Sequence, residues 1–403
     1  MHHKLSLGLF SLIATSSAIA GEGLYSVGAE PEEQLPLEWI VGSHLIYDDN
    51  VTPGLASEED SLAVNPYVGA TLTSITPQTV IDLYAQVGIV YYFDEPSTVD
   101  DTTVNTELGL DVYHDVSERI SLTTRNIVTY ELEPNYAYGY ASSRQNEEHL
   151  FWSTDNSIDY SWTPRLTTRT GFRIYGTDYE DSDSLNRTVV GLYNQFRYRI
   201  SPQTVGTLGY RYEDSDGDGL SSDSTSHFVT VGAEQRFNPN TIGRFQVGAQ
   251  FRDVDGGDNS TSPYLEASVQ SQVNSQFNVR GFVRYSIEDF DTIQSDGTGT
   301  FEYDERLTLR IGTSATYDIS PRLQAFGGVD YIPTSFESGR LVSGTGTASD
   351  ADEDVLNAYI GLALKITDNV EASCSYNYTN ADSDFSSRDY DRSRISLGVS
   401  ATF

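Results

Sequence analysis

From about Pro36 to Phe403 the chain repeats one pattern, a ribbon of alternating apolar and polar residues followed by a breaker. In Val80 to Phe93 the apolar residues Ile81, Leu83, Ala85, Val87, Ile89, Tyr91 and Phe93 alternate with partners that include Asp82, Gln86 and Gly88. Arg306 to Ile319 and Leu356 to Ile366 alternate in the same way. Successive side chains of a β-strand point to opposite faces, so period two over such lengths predicts strands with one apolar and one polar face. Helical spans are excluded after the N-terminal segment. No stretch there reaches the roughly 18 apolar residues a helix needs to cross a bilayer, and mean hydropathy is −0.38.

The breakers are of two kinds, and the kinds alternate. Ser74–Gln78, Val116–Arg119, Thr163–Arg165, Ser201–Gln203, Asn238–Asn240, Ser320–Arg322 and Thr367–Asn369 are short, with a fainter member near Asn274–Gln276. Pro presets φ in several of them, and Ser, Thr or Asn closes the turn with local hydrogen bonds. Asp48–Asp60, Asp214–Asp223, Asp253–Thr261, Phe290–Thr300, Glu337–Asp354 and Asp382–Asp389 are longer and rich in Asp, Ser and Gly. Short turns at one end and long polar loops at the other are the layout of a transmembrane antiparallel up-and-down β-barrel. The ribbons number about 18, and even parity predicts both termini on the periplasmic side. A soluble sandwich or propeller would bury large aliphatics in a core. Here Tyr47, Tyr91, Tyr130, Trp152, Trp162, Tyr212, Phe251, Tyr285 and Tyr331 lie near ribbon ends, as girdles at membrane interfaces do.

Residues 1–20 carry Lys4, the apolar run Leu5 to Ala14 and the small-residue end Ala18-Ile19-Ala20, which reads as a secretory signal peptide. Residues 21–35 form a short acidic periplasmic lead, and the barrel runs over 36–403. A single cysteine, Cys374, excludes an intramolecular disulfide. With 24 basic against 59 acidic residues the formal charge is −35, which disfavours nucleic acid and bare anionic lipid as partners. A disordered acidic chain would be poor in aromatics, whereas this one has 27 Tyr and 17 Phe. The expected location is a Gram-negative outer membrane, with its lipid and lipopolysaccharide as surroundings. The last ribbon, Arg394 to Phe403, alternates Ile395, Leu397, Val399 and Ala401 and ends on the aromatic. It resembles the terminal strand of outer-membrane barrels, which implies that Phe403 is an assembly signal read by the barrel-assembly machinery.

The first hairpin runs Trp39-Ile40-Val41-Gly42-Ser43-His44-Leu45-Ile46-Tyr47-Asp48-Asp49-Asn50-Val51, then a polar loop, then a strand holding Asn65-Pro66-Tyr67-Val68-Gly69. With its motif Tyr47, Asp48, Asp49, Asn50, this hairpin resembles the putative β-barrel porin 2 family. The resemblance implies an outer-membrane barrel, linked in some members to exopolysaccharide or capsule export. It brings no catalytic residues.

Arginine placement carries most of the remaining information. Arg169, Arg173, Arg197, Arg211, Arg236, Arg280, Arg284 and Arg310 fall on the polar, lumen-facing phase, as do Asp82, Glu107 and Asp111. A lipid-facing Arg near the midplane would cost about 2–4 kcal/mol, so this phase is required. Basic strands cluster in mid-chain and many acidic ones near the start, which predicts an arginine wall facing an acidic wall across a pore. The alternative is that the charges pair and plug the lumen.

Asp214-Ser215-Asp216-Gly217-Asp218-Gly219 begins like a calcium loop, but Thr225 stands where an EF-hand needs Glu. No cofactor is expected, and weak surface binding of Ca²⁺ or Mg²⁺ is the one metal reading. Only His44, His114, His149 and His227 follow the leader, with no G-x-S-x-G or H-E-x-x-H motif, so the chain is read as a non-enzyme. Three uses fit: passive diffusion of small polar solutes, a conduit for exopolysaccharide, or a non-conducting surface scaffold or adhesin.

Overall fold

The computed structural model describes residues 37–53, 58–97, 100–132, 147–180, 185–219, 221–295, 299–385 and 388–403. Residues 1–20, read as a signal peptide, and 21–35, read as an acidic lead, lie outside the described residues. The first strands are β1 (Glu38–Asp48), β2 (Ser61–Ile75), β3 (Thr79–Tyr92), β4 (Thr102–Ser117), β5 (Ile120–Glu131) and β6 (His149–Ser161). Next come β7 (Leu166–Tyr179), β8 (Arg187–Ser201), β9 (Thr204–Gly217), β10 (Ser224–Asn238), β11 (Thr241–Val254), β12 (Ser260–Asn274) and β13 (Phe277–Ile287). The last are β14 (Ile293–Ser295), β15 (Gly299–Ser320), β16 (Leu323–Gly344), β17 (Ala351–Lys365), β18 (Val370–Ser383) and β19 (Tyr390–Thr402).

Apart from β14, each strand pairs antiparallel with the strands before and after it, and β1 pairs with β19 over Ile40↔Thr402 to Asp48↔Arg394, which closes the ring. β13 pairs directly with β15, so the three-residue β14 is an appendage on the long β15 and the barrel has 18 staves. Staves run from 11 to 22 residues, at or beyond the ~9–11 that a tilted strand needs to cross a bilayer.

All eight short turns are closed by one device. Thr76, Ser117, Thr163, Ser201, Asn238, Asn274, Ser320 and Thr367 each accept a backbone N–H from two or three residues ahead through a side-chain oxygen. These residues supply locally the partners that the sheet cannot offer at its end. Two segments read as loops, Asp214–Asp223 and Glu337–Asp354, are shorter in the structure, because ladder pairing outlasts the apolar alternation. β9 continues to Gly217, β16 to Gly344, and β17 resumes at Ala351.

The outward phase is apolar and exposed, as lipid contact requires. Val41 and Leu45 on β1, Leu192 and Phe196 on β8, Ile360 and Leu362 on β17, and Leu397 and Val399 on β19 are all exposed. Trp39 and Tyr47 mark the two rims on β1, eight residues or about 27 Å apart along the strand at ~3.4 Å per residue. Trp162, Tyr198, Phe237, Tyr317 and Phe403 continue the rim at the short-turn end, and Tyr91, Phe251 and Tyr331 the rim at the loop end.

One sector breaks the rule. Thr124 and Asn126 on β5, Thr154 and Asn156 on β6, Thr170 on β7 and Asn194 on β8 share the outward phase with Leu122, Ile158, Phe172 and Leu192. An amide left unpaired in hydrocarbon costs roughly 2–7 kcal/mol, so this sector is expensive in bare lipid.

The seam explains the Tyr47–Asn50 motif. Asp48 points inward and takes a two-point ion pair from Arg392 of β19, with Nη2 to Oδ2 at 2.6 Å and Nε to Oδ1 at 3.0 Å. Asp49 accepts the Ser393 backbone N–H at 2.6 Å, and the Asn50 side-chain amide donates to the Asp391 carbonyl at 2.8 Å. Three consecutive polar residues therefore fasten the first strand to the last, while Tyr47 sits outside at the rim.

Candidate functional site

Inside the barrel the ladder sets the polar side chains out in rows. One row of directly paired residues reads Asp82, Asp111, Arg125, Asp155, Arg173, Gly191, Glu213 across β3 to β9. Another reads Gln246, Glu266, Arg284, Arg310 across β11 to β15. Several inward arginines pair with an acid on their own or a nearby strand. Arg169 binds Asp159 at 2.6 Å, Arg197 binds Glu234 at 2.8 Å and Arg211 binds Glu213 at 3.1 Å.

Glycines let large inward rings lie flat over the wall. An ideal Cβ on Gly109 would collide with the ring of Tyr84, and one on Gly171 with that of Tyr193. Tyr84 then donates to Glu107 at 2.8 Å and Tyr193 to Asp155 at 2.6 Å. Arg211 stacks over the Phe228 ring at 3.9 Å and Arg173 over Tyr175 at 4.5 Å. Guanidinium planes held on aromatic faces in this way keep fixed orientations.

The segment after β13 turns into the barrel, including Phe290, Asp291 and Thr292, expected to open the external loop Phe290–Thr300. Glu288, Asp289, Phe290 and Thr292 are all buried there. Glu288 accepts bonds from Arg284 at 2.7 Å, from Arg310 at 2.7 Å and from Arg306 at 3.2 Å. Asp289 pairs with Arg252 at 2.8 Å and accepts from Ser224. Asp291 pairs with Arg388 of the β18–β19 loop, which also reaches Glu353 at 3.4 Å. Phe290 crosses to the far wall, packing on Tyr175 with Phe151, Val189 and Ile127. Asp291 then reverses the chain with φ of 60°, a left-handed conformation that Asp tolerates better than most residues. Burial alone would raise the Glu288 carboxyl, but Arg310, Arg284 and Arg306 hold it well below the usual carboxylate range.

Beneath this loop lies a cavity of about 680 Å³. Eight arginines border it, including Arg169, Arg173, Arg197, Arg211, Arg280 and Arg284, and eight carboxylates, including Asp82, Asp111, Glu288 and Asp289. Arg236, Arg310 and Glu107 share the inward phase but stand outside its lining: Arg310 is engaged by the loop and Glu107 by Tyr84. The two-wall expectation is corrected in part. Asp82, Glu107 and Asp111 on β3 and β4 do form an acidic sector, and β13 with Arg280 and Arg284 stands opposite it in a ring of 18. Between them, on β5 to β12, acids and arginines interleave rather than segregate, because neighbouring strands satisfy one another's buried charge.

The histidines do not converge. His44 and His149 point inward on separate strands, whereas His114 and His227 point outward, where they bond Thr79 and Tyr210. Among the described residues no group of three or more His, Cys, Asp or Glu is positioned to hold a metal ion.

A family model described as putative beta-barrel porin 2 matches residues 41–403. The chain belongs to that family. Solved structures similar to this porin include Pseudomonas aeruginosa OpdK with vanillate, at 13% identity and TM-score 0.46, covering 91% of this chain and 99% of that one. Acinetobacter baumannii OccAB4 shows 13% identity and TM-score 0.45, covering 93% and 100%. A BenF-like porin from Pseudomonas fluorescens Pf-5 shows 11% identity and TM-score 0.46, covering 91% and 98%. No curated protein matches the porin significantly in sequence. Sequence reasoning about this porin missed Glu288 to Asp291 as interior residues. The one available signal was Phe290, an apolar residue amid acids where an exposed loop has no use for it.

Proposed function

We infer that this outer-membrane barrel lets small polar solutes diffuse passively, with the loop Glu288–Thr292 setting its narrowest passage. The observation that carries the reading is the loop itself, held across the lumen by Arg252, Arg284, Arg306, Arg310 and Arg388 above a cavity of balanced charge. Selection then follows from size at the loop and from the charges beside it, since fixed dipoles and ions replace part of a solute's hydration. A polysaccharide conduit would need an unbroken track, which the crossing of Phe290 to Tyr175 interrupts. The short-turn end, where β1 begins and β19 ends, faces the periplasm in this reading, and the exposed Phe403 is the assembly signal.

The test is single-channel recording in planar bilayers. The wild type is expected to give steady openings, and Glu288→Ala with Asp289→Ala to raise unit conductance at least twofold. A silent wild type together with a silent double variant would favour the scaffold reading and remove this one.

A further inference from the structure

The polar sector on the outside of β5 to β8 sits near mid-height in the bilayer. Asn156 stands four residues from Trp152 and four from Tyr160 on its own strand. Around the rest of the ring the matching outward positions are mostly apolar, among them Val231, Phe245, Ile311, Ile360 and Leu397, with the isolated hydroxyls Ser43 and Thr313 as exceptions, the latter donating to the Arg280 carbonyl.

The sector satisfies itself only in part. Thr154 donates to the Asn126 Oδ1 at 2.7 Å, Asn156 Nδ2 donates to Thr154 at 2.7 Å, and Thr124 donates to the Asn156 Oδ1. At the other margin Asn194 Nδ2 donates to Thr170 at 2.6 Å. Among the described residues this leaves the Nδ2 donors of Asn126 on β5 and the Oδ1 acceptor of Asn194 on β8 without a protein partner. Lipid tails supply neither.

We propose that β5 to β8 form the face on which a second copy of this chain docks within the membrane. Amides and hydroxyls carry both donors and acceptors, so a neutral Asn/Thr surface is complementary to itself. The amide atom left with no bond at all is a donor at the β5 margin, Asn126 Nδ2, and an acceptor at the β8 margin, Asn194 Oδ1, so the β5 margin of one copy meets the β8 margin of the next. Such head-to-tail contacts close into a ring when the rotation between successive copies divides a full turn. Exposed Ile158, Phe172 and Leu192 surround the polar groups and supply apolar contact. A charged partner would find no counter-charge here. The inference rests on the barrel lying in a bilayer and not on whether it conducts.

Full-length protein in lipid nanodiscs, weighed by mass photometry, gives the first readout. The wild type is expected as an oligomer. Asn126→Leu, Asn156→Leu and Asn194→Leu combined are expected to lower the oligomeric fraction at least tenfold, while the unheated barrel keeps its fast electrophoretic migration. A second readout does not depend on that variant folding: Asn126→Cys with Asn194→Cys, in a Cys374→Ser background, is expected to cross-link copies in the outer membrane. A monomeric wild type, an oligomer indifferent to the triple substitution, or cysteines that link only to a different protein would each overturn the proposal.

Discussion

Glu288 concentrates the loop's attachment in one carboxylate, since three guanidinium groups converge on it. Its folded-state pKa is depressed, so its contribution to stability is present above the ordinary carboxylate value of about 4.3 and is lost as pH falls through the depressed one. The loop's attachment is therefore expected to hold from about pH 7 down to about pH 4.5, so the ratio of unit conductance between the Glu288→Ala, Asp289→Ala variant and the wild type should stay constant over that range and fall toward one only in stronger acid. A ratio that already collapses near pH 6 would contradict this assignment. At the seam, Asp48 is buried and carries the two-point pair with Arg392. Asp48→Asn leaves a buried guanidinium without its counter-ion, a change that typically costs about 3–5 kcal/mol. The temperature at which the unheated barrel loses its fast electrophoretic migration should fall accordingly, and an unchanged temperature would count against the latch.

At the scale of strands and loops, legibility followed the solvent. The outward phase could be read from the sequence because lipid punishes exceptions, and Val87, Ile89, Leu362 and Leu364 obey it on strands far apart. The eight turns could be read because Ser, Thr and Asn bond locally, so each turn is specified within a few residues. The inward loop could not, because its partners Arg252, Arg306 and Arg388 lie on segments whose meeting depends on the closed ring. For the same reason the motif at Asp48 read as a resemblance before its partner on β19 was known. The lipid rule makes a direct prediction on β17. Ile360, among the most exposed outward residues, should tolerate arginine poorly, and Ile360→Arg is expected to destabilise the barrel by about 2–4 kcal/mol in vesicle refolding against urea. Gln246→Arg, on the inward phase of β11, should cost much less.

For the molecule as a whole, the lumen balances eight cations against eight anions around one cavity while the chain carries a formal charge of −35. Most of that excess must then reside elsewhere, and ion selectivity depends on local sectors rather than on net charge. The two sectors that are not interleaved are the acids of β3 and β4 and the arginines of β13, on opposite sides of the ring. Arg280 suits a test better than Arg284, which also binds Glu288 and would disturb the loop. In a KCl gradient, Arg280→Gln should move the reversal potential toward cation selectivity and Asp82→Asn toward anion selectivity. Each is expected to change the permeability ratio about twofold at 0.1 M salt, where the screening length is ~10 Å, and much less at 1 M, where it is ~3 Å. Shifts of the same sign for both substitutions would mean that the permeating ion does not pass between these walls.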